Sequence, residues 1–248
     1  MSATLYSIAL SNPGWAAAGM LVHTRIPHRV VVLPGGAHPL LVRAAGFPGW
    51  TVPALEFDNG RRLQGSLAIS RALHELAPER ALFPRDRAAR RAVEEAESWG
   101  HSELQPVPRR IIRFGMVHDR GLRRWWAADI LGWPTPGLLG ELGRPTAMVM
   151  ARVAGADEDA VREDVRRLPA LLDRVDELMA AGTIGGAEPN AADFQILSTV
   201  RALLGFTDLV DLVEGRPGAA AAKRLFPGWE GPVPQFMDGS AGIVDSSR

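Results

Sequence analysis

The order of strand and helix patterns along the first eighty residues constrains the fold of this chain most strongly. Short runs of β-forming residues alternate there with helical patterns, in the order strand, helix, strand, helix, at residues 4–9, 13–25, 30–33 and 39–45. The third of these, Val30-Val31-Val32-Leu33, is apolar throughout, so we expect a buried strand. The order predicts two strands that are joined by a helical crossover.

The segment GWTVPALEFDNGRRLQGSLAIS, residues 49–70, continues the order with a hairpin and a helix. Residues 54–57 and 61–63 flank Asp58-Asn59-Gly60, a strong hairpin signal because Asn and Gly tolerate positive φ angles. A helical pattern then opens at Ser66, and its apolar positions are Ile69, Leu73 and Leu76. The whole order, β-α-β-α-β-β-α, predicts an α/β domain.

No further strand pattern follows the proline-containing segment ELAPERALFPRD, residues 75–86. We therefore expect an α/β domain at residues 1–80 and an all-helical domain at residues 86–230. Residues 231–248 form the end of a tail rich in Gly and Pro and are predicted to be flexible.

Prolines predict interruptions of the helical domain. Residues 86–150 are expected to form two or three helices, the first of which Pro106 and Pro108 bend or break. The long amphipathic pattern over residues 161–179 contains Pro169, where we expect a kink or a break.

Asn190 predicts the start of another helix, whose apolar positions are Phe194, Leu197, Val200 and Leu204. Asp193 lies three residues after Asn190, the spacing of a capping box, in which each side chain accepts a hydrogen bond from the backbone of the other residue. We therefore expect a reciprocal cap at this helix start.

Composition excludes several classes of function. With 28 basic and 28 acidic residues, the chain has no net charge that would favour nucleic acid or an anionic membrane surface. It contains no Cys, and its six His show no i, i+4 pair, so we expect no disulfide, no metal and no cysteine nucleophile. No apolar run is long enough to span a membrane and no basic leader precedes the first strand, so a cytoplasmic protein is expected.

Three motifs in this order resemble the glutathione transferase family: VPALEFDNG at residues 52–60, GSLAISRALHEL at residues 65–76 and EPNAADF at residues 188–194. The resemblance implies a thioredoxin-like N-terminal domain followed by an all-α domain. It also implies that the first domain binds glutathione, or another small thiol, as co-substrate, and that the second helps to bind an electrophile.

The resemblance places the thiol-binding contacts at Thr51, Val52, Pro53, Gln64, Gly65 and Ser66. It implies a cis peptide bond at Pro53 and a Val52 backbone that pairs with the cysteinyl part of the ligand, as an added strand would. It also implies that the hydroxyl and N–H of Ser66 hold the γ-glutamyl carboxylate at a helix N-terminus. Taken alone, Pro53 is better explained as a trans proline before a strand. Ser66 can be a simple N-cap, and the cap and the ligand contact are compatible.

Two residues depart from the family pattern. Gly65 stands where the family often has an acidic residue that orients the amino group, and Thr51 stands where a lysine often reaches the glycyl carboxylate. Alternative partners for the ligand are His38, Arg43 and Trp50. The departures leave three options: weak binding of glutathione, use of a different thiol, or a fold that is kept without transferase activity.

The residue that activates the thiol follows the first strand in the family, and its position here falls on Ser11. A hydrogen bond donated to a thiolate favours the charged form and lowers the pKa of the thiol. Asn12 and Tyr6 are the other candidate donors. A polar turn that caps the first helix explains the same residues without catalysis.

The second-substrate side is expected around the helix with Pro106, where the aromatic and basic candidates are Trp99, His101, Arg109, Arg113, Phe114 and His118. Residue by residue, a solvated face for the arginines and packing for the aromatic side chains are the favoured interpretations.

The leading hypothesis is a transferase that activates a small thiol for attack on an electrophile. A thiol-dependent isomerase and a non-catalytic ligand-binding protein of the same fold are the alternatives. The resemblance also implies a homodimer with the third helix near the two-fold axis.

Overall fold

The computed structural model describes residues 1–228 and 231–237. The N-terminal domain contains one mixed four-stranded sheet, in which β1 is parallel to β2 and antiparallel to β3, and β3 is antiparallel to β4. The spatial order is β2-β1-β3-β4, and the strands are Ala3–Ile8 (β1), His28–Leu33 (β2), Ala54–Phe57 (β3) and Arg62–Gln64 (β4). The predicted strand order is confirmed.

Three helices cover this sheet: Asn12–His23 (α1), His38–Ala44 (α2) and Ser66–Leu76 (α3). Apolar residues of α1 and α3 share one core with the sheet and with the helical domain. On α2, Val42 packs instead with Phe47 and Ala54 in a second, smaller core. This is the predicted thioredoxin-like arrangement.

The prediction that β2 is buried is wrong. Val30 is 46% and Val32 59% exposed. The strand lies at the edge of the sheet, and side chains two residues apart point to the same face. An apolar run indicates burial only where helices cover both faces of a strand, and the face that carries Val30 and Val32 is open.

The predicted hairpin turn is confirmed. The Gly60 N–H donates to the carbonyl oxygen of Phe57, and the Phe57 N–H donates to that of Arg61, both at 2.9 Å. Gly60 has a φ of +82°, which a residue without a Cβ adopts at little cost. The Asn59 side chain accepts from the Arg61 N–H at 3.0 Å. The turn thus fixes the register of β3 and β4.

The second domain is helical throughout its described residues. Between residues 87 and 154 it has five helices rather than two or three, with π-helical turns at Gly100–Leu104 and Trp126–Ile130. The helices are Arg87–Trp99 (α4), Pro106–His118 (α5), Arg120–Trp125 (α6), Pro136–Leu142 (α7), Arg144–Ala154 (α8), Glu158–Ala180 (α9), Ala191–Leu203 (α10), Val210–Val213 (α11) and Pro217–Leu225 (α12).

Prolines have two different effects here. Pro106 and Pro108 lie in the first turn of α5, where backbone N–H groups have no partner within the helix, so they start a helix. The predicted break at Pro169 does not occur, because α9 continues through it from Glu158 to Ala180. Leu168 and Leu172 are buried on either side, and we attribute the continuity to this packing, which offsets the single lost hydrogen bond.

The capping box at the start of α10 is confirmed. Asn190 Oδ1 accepts from the backbone N–H groups of Ala192 and Asp193 at 2.9 and 3.2 Å, while Asp193 Oδ2 accepts from the Asn190 N–H at 2.9 Å. Asp193 Oδ1 accepts a further bond from the Gly185 N–H at 2.6 Å. Because only Arg201 of α10 is not buried, this cap positions a helix at the centre of the molecule.

Residues 231–237 pack against the helical domain rather than extending freely. Val233 forms a parallel bridge with Phe206, and Val233, Phe236 and Met237 are buried. The rest of the predicted flexible tail, residues 238–248, lies outside the described residues.

We predict that Asp193→Ala lowers the free energy of unfolding by about 1 to 3 kcal/mol, since it leaves two partly buried N–H groups without an acceptor. Asp159→Ala is the control, because Asp159 is exposed on α9 and its loss should change stability by less than about 0.5 kcal/mol. Urea denaturation monitored by circular dichroism measures both. Equal effects in the two variants would contradict a buried structural role for the cap.

Candidate functional site

A cavity of about 550 Å³ lies between the two domains. The N-terminal domain contributes the loop from β1 into α1, the loop Pro34–Ala37 and residues 51–52. The helical domain contributes α5, parts of α6 to α8 and the π-helical turn at Trp126–Ile130. Of the predicted site residues, Ser11, Asn12, Thr51 and Val52 line the cavity, and Pro53, Gln64, Gly65 and Ser66 do not.

Ser11 is the N-cap of α1. Its Oγ accepts from the Gly14 N–H at 3.1 Å, and the side chain is buried apart from its position on the cavity wall. No group in the described part of the chain accepts the hydroxyl proton of Ser11, so this proton is available to a ligand. The helix N-terminus adds partial positive charge at the same place.

Asn12 and Tyr6 are engaged elsewhere. The Asn12 amide donates to Thr199 Oγ1 at 2.9 Å and to the carbonyl oxygen of Gln105 at 3.4 Å, so both of its N–H bonds point into the domain junction. The Tyr6 ring packs edge-on against Phe47 in the smaller core and does not line the cavity. Of the three candidate donors, only Ser11 has a free donor at the wall.

Val52 presents backbone to the cavity. The Val52–Pro53 peptide bond is cis, as predicted. Within residues 1–228 and 231–237, the N–H and C=O of Val52 have no hydrogen-bond partner. The Gln64 amide braces the loop before them, because it donates to the Thr51 carbonyl oxygen at 2.7 Å and accepts from the Gly49 N–H at 2.8 Å. Gln64 thus holds the loop that leads to Val52 in place, although Gln64 itself does not line the cavity.

Ser66 faces the domain junction. Its Oγ donates to Gln195 Oε1 at 2.7 Å, and the side chain is buried away from the cavity wall. The Ser66 hydroxyl is therefore not available to a ligand. The first backbone N–H groups of α3 have no partner within the helix, and they follow Gly65 with its φ of +88°.

Arginine side chains give the cavity positive charge. Arg109 and Arg113 lie one turn apart on α5 and both line it, and no Asp or Glu of the described residues does. Arg113 donates to the Met150 carbonyl oxygen at 3.2 Å. Burial, followed by repulsion from Arg109, lowers the pKa of Arg113 to about 10, so it remains charged at neutral pH. The pKa of Arg109 is also lowered by burial, although its end remains accessible to water in the open cavity.

His38, at the start of α2, faces the same charge. It is 4% exposed, and its Nδ1 atom has no hydrogen-bond partner. Burial, followed by the charge of Arg113, lowers the pKa of His38 to about 4. The imidazole is therefore neutral at physiological pH and retains an unused polar atom beside the cavity.

The remaining wall is largely apolar. Its larger side chains are Ile112, Met116, Trp126, Leu131, Trp133, Leu139, Met150, Phe206 and Val233. Gly35 lies directly beneath Trp126, since a Cβ at Gly35 would lie 3.2 Å from the indole ring. Such a wall suits an organic molecule with an apolar body.

Part of this surface is predictable from the sequence. Arg109 and Arg113 line the cavity, whereas the other expected second-substrate residues, Trp99, His101, Phe114 and His118, do not. Trp126 and Trp133 also line the cavity, and nothing in their local sequence pattern indicates this. The i, i+4 spacing of the arginines was the available signal, because it places both on one helix face.

No helix within residues 1–228 and 231–237 is both long enough and apolar enough to cross a bilayer. The same residues contain no group of three or more His, Asp or Glu side chains arranged to hold a metal ion.

Comparison with known proteins finds a family model that matches the N-terminal domain. Residues 5–81 match the family model described as Glutathione S-transferase, N-terminal domain. A search of curated proteins finds no match.

Solved structures of this fold match nearly the whole chain. A glutathione S-transferase from Sinorhizobium meliloti 1021 has a TM-score of 0.58 at 16% identity, with 100% of both chains covered. The β-etherase LigF from Sphingobium sp. strain SYK-6 has a TM-score of 0.62 at 17% identity, with 92% of this chain and 99% of that one covered. Maleylacetoacetate isomerase from Anaeromyxobacter dehalogenans 2CP-1, with glutathione in its active site, has a TM-score of 0.56 at 22% identity, with 92% and 91% covered.

We predict that His38 titrates near pH 4 and that Arg113→Gln raises its pKa, because one of the two causes of the shift is removed. Between the ordinary value of 6.5 and about 4, the unfolded chain binds this proton and the folded chain does not. The contribution of His38 therefore lowers stability as pH falls through that window. Imidazole chemical shifts measured by NMR report the titration, and a midpoint near 6.5 would contradict a buried, neutral His38.

Proposed function

We propose that this protein, whose residues 5–81 match the N-terminal domain of glutathione S-transferases, binds glutathione or a similar small thiol and activates it for attack on an electrophile. The thiol lies against the N-terminal domain, and the electrophile lies against α5 and the apolar wall. The products are a thioether conjugate and the leaving group of the electrophile.

The observation that carries this proposal is the unused hydroxyl proton of Ser11 beside the unpaired backbone of Val52. Both groups line one cavity. An extended cysteinyl segment pairs with the Val52 backbone as an added strand would, which is a common mode of peptide recognition. Ser11 Oγ continues to accept the bond from the Gly14 N–H that caps α1, while the hydroxyl proton is donated to the sulfur. The two contacts use different parts of the hydroxyl, so both form at once.

Charge in the cavity favours the thiolate further. The N-terminus of α1 and the guanidinium groups of Arg109 and Arg113 are positive, and no carboxylate of the described residues lines the wall. Positive charge near a thiol lowers its pKa because it stabilises the ionised form. The thiolate is therefore stabilised by the positive charge of the cavity as well as by the Ser11 hydroxyl.

Isothermal titration calorimetry with glutathione tests binding directly. We expect saturable binding with a dissociation constant below about 1 mM, which corresponds to a free energy of about −4 kcal/mol. Val52→Pro removes one of the two backbone groups and should abolish binding, whereas Val52→Ile keeps both. Absence of binding for glutathione and for other small thiols would remove the basis for the transferase.

We predict that Ser11→Ala raises the pKa of the bound thiol by about 1 to 2 units, because a hydrogen bond to a charged group contributes roughly 1.5 to 3 kcal/mol. Turnover should fall while thiol affinity changes little. Ser7→Ala is the matched control, since the Ser7 hydroxyl donates to the Ile8 carbonyl oxygen and does not line the cavity. Ultraviolet absorbance of the thiolate measures the titration. Tyr6→Phe tests the other hydroxyl, and a shift of the thiol pKa in Tyr6→Phe but not in Ser11→Ala would assign thiol activation to Tyr6.

A non-catalytic ligand-binding protein is the second candidate. Ser66 and Gln64 are engaged within the protein, and Gly65 and Thr51 lack the charges that the family often uses at these positions. Fewer side chains are thus free to hold both ends of a tripeptide. Binding without turnover for any electrophile would favour this candidate. A thiol-dependent isomerase uses the same thiol site and differs in the electrophile it accepts.

We also predict a cytoplasmic homodimer in which α3 lies near the two-fold axis. Light scattering at micromolar concentration should give twice the 26.7 kDa mass of the chain. A monomer mass under these conditions would contradict the assembly.

A further inference from the structure

Arg109 and Arg113 differ from Arg110 and Arg123, two arginines of the helical domain that pair with carboxylates. The guanidinium of Arg110, between them on α5, pairs with both carboxylate oxygens of Asp164, and Arg123 pairs with Glu141 at 2.8 Å. In contrast, Arg109 has no hydrogen bond or ion pair with any described residue, and Arg113 has only the Met150 carbonyl oxygen. The two positive charges lie one turn apart and repel each other. An anion bound between them reduces this repulsion.

The same helix face continues as apolar surface. Arg109, Ile112, Arg113 and Met116 recur at spacings of three and four residues, and all four line the cavity. A ligand on this face therefore meets two guanidinium groups at one end and apolar side chains at the other. Trp126 and Trp133, on the same cavity wall, offer flat surfaces to an aromatic ring.

We propose that Arg109 and Arg113 bind a carboxylate of the second substrate, which is an electrophile with a flat, apolar body. This inference rests on the proposed function and names the substrate class for it. The planar fork of a guanidinium matches the two oxygens of a carboxylate, and a charge-assisted pair of this kind is strong in a partly dry site. The buried Nδ1 of His38, which lacks a partner and faces Arg113, is a further contact for the same anion.

The carboxylate is assigned to the electrophile rather than to the thiol because of where the arginines are attached. Both lie on α5 of the helical domain, on the stripe that carries Ile112 and Met116. The thiol contacts, Ser11 and Val52, come from the other domain. The glycyl carboxylate of glutathione carries the same chemistry, so the experiment separates the two sources.

The test compares two electrophiles that differ only in charge, 4-chloro-3,5-dinitrobenzoate and 4-chloro-3,5-dinitrobenzamide, with glutathione as the thiol. The thiolate sulfur attacks the ring carbon that bears chlorine, the C–S bond forms, and the C–Cl bond breaks. Chloride leaves with the bonding electrons, and the thiol proton passes to solvent. The ratio of kcat/KM for benzoate over benzamide, compared between variants, cancels the intrinsic reactivity of the two rings.

We expect Arg109→Gln and Arg113→Gln each to lower this ratio by about tenfold or more, since each removes a charge-assisted contact. Arg109→Lys keeps the charge without the fork and should recover part of the ratio. Arg124→Gln is the control for a general change of charge, because Arg124 is exposed on α6 and does not line the cavity. A ratio that stays the same in Arg109→Gln and Arg113→Gln would overturn the inference.

Two binding titrations separate failure of this inference from failure of the proposed function. If Arg109→Gln weakens binding of glutathione while the ratio is unchanged, the anion site belongs to the thiol, and the inference is wrong while the transferase stands. If unreactive 3,5-dinitrobenzoate binds the unmodified protein at least tenfold more tightly than Arg109→Gln, and no thiol binds, the anion site stands and the transferase is wrong.

Discussion

Buried hydrogen bonds between α1, α3 and α10 hold the two domains in one relative position, and the cavity depends on that position. Ser66 of α3 bonds to Gln195 of α10, and the Gln195 amide in turn donates to Gln105 Oε1. Asn12 of α1 bonds to Thr199, one turn further along α10. All five side chains are buried, so these bonds are made in surroundings where an unpaired partner is costly. Their geometry specifies how the domains meet.

A second buried contact lies one turn further along α3. Ser70 donates to Glu97 Oε1 at 2.6 Å, and Arg71 pairs with the other oxygen of Glu97 at 2.5 Å. Burial raises the pKa of Glu97, and the bonds from Ser70 and Arg71 act in the opposite direction. A charge buried in this way is tolerated because it is paired on both oxygens. The domains are thus linked by polar contacts at two points, with the shared apolar core around them.

Local sequence signals predicted most of the fold and part of the site. The Asn59-Gly60 turn and the Asn190/Asp193 cap were predictable because each depends on residues within a few positions of one another. The exposure of Val30 and Val32 was not predictable from the local sequence, because it depends on which strand lies at the edge of the sheet. The continuous helix through Pro169 likewise depends on packing partners distant in sequence. Partners such as Gln195 for Ser66 are 129 positions apart, and no spacing rule reveals them.

The site shows why a matching motif residue need not contact the ligand. Gln64, Ser66 and Asn12 occupy motif positions, yet their polar atoms bond to other parts of the protein. Gln64 and Ser66 do not line the cavity, and Gln64 instead braces the loop that carries the free backbone groups of Val52. Such residues act by fixing where backbone N–H and C=O groups point, and a small shift in these bonds displaces the wall. Substituting them should therefore alter stability and ligand affinity together, whereas loss of the Ser11 hydroxyl removes the cap of α1 and, in the proposed transferase, the donor to the bound sulfur.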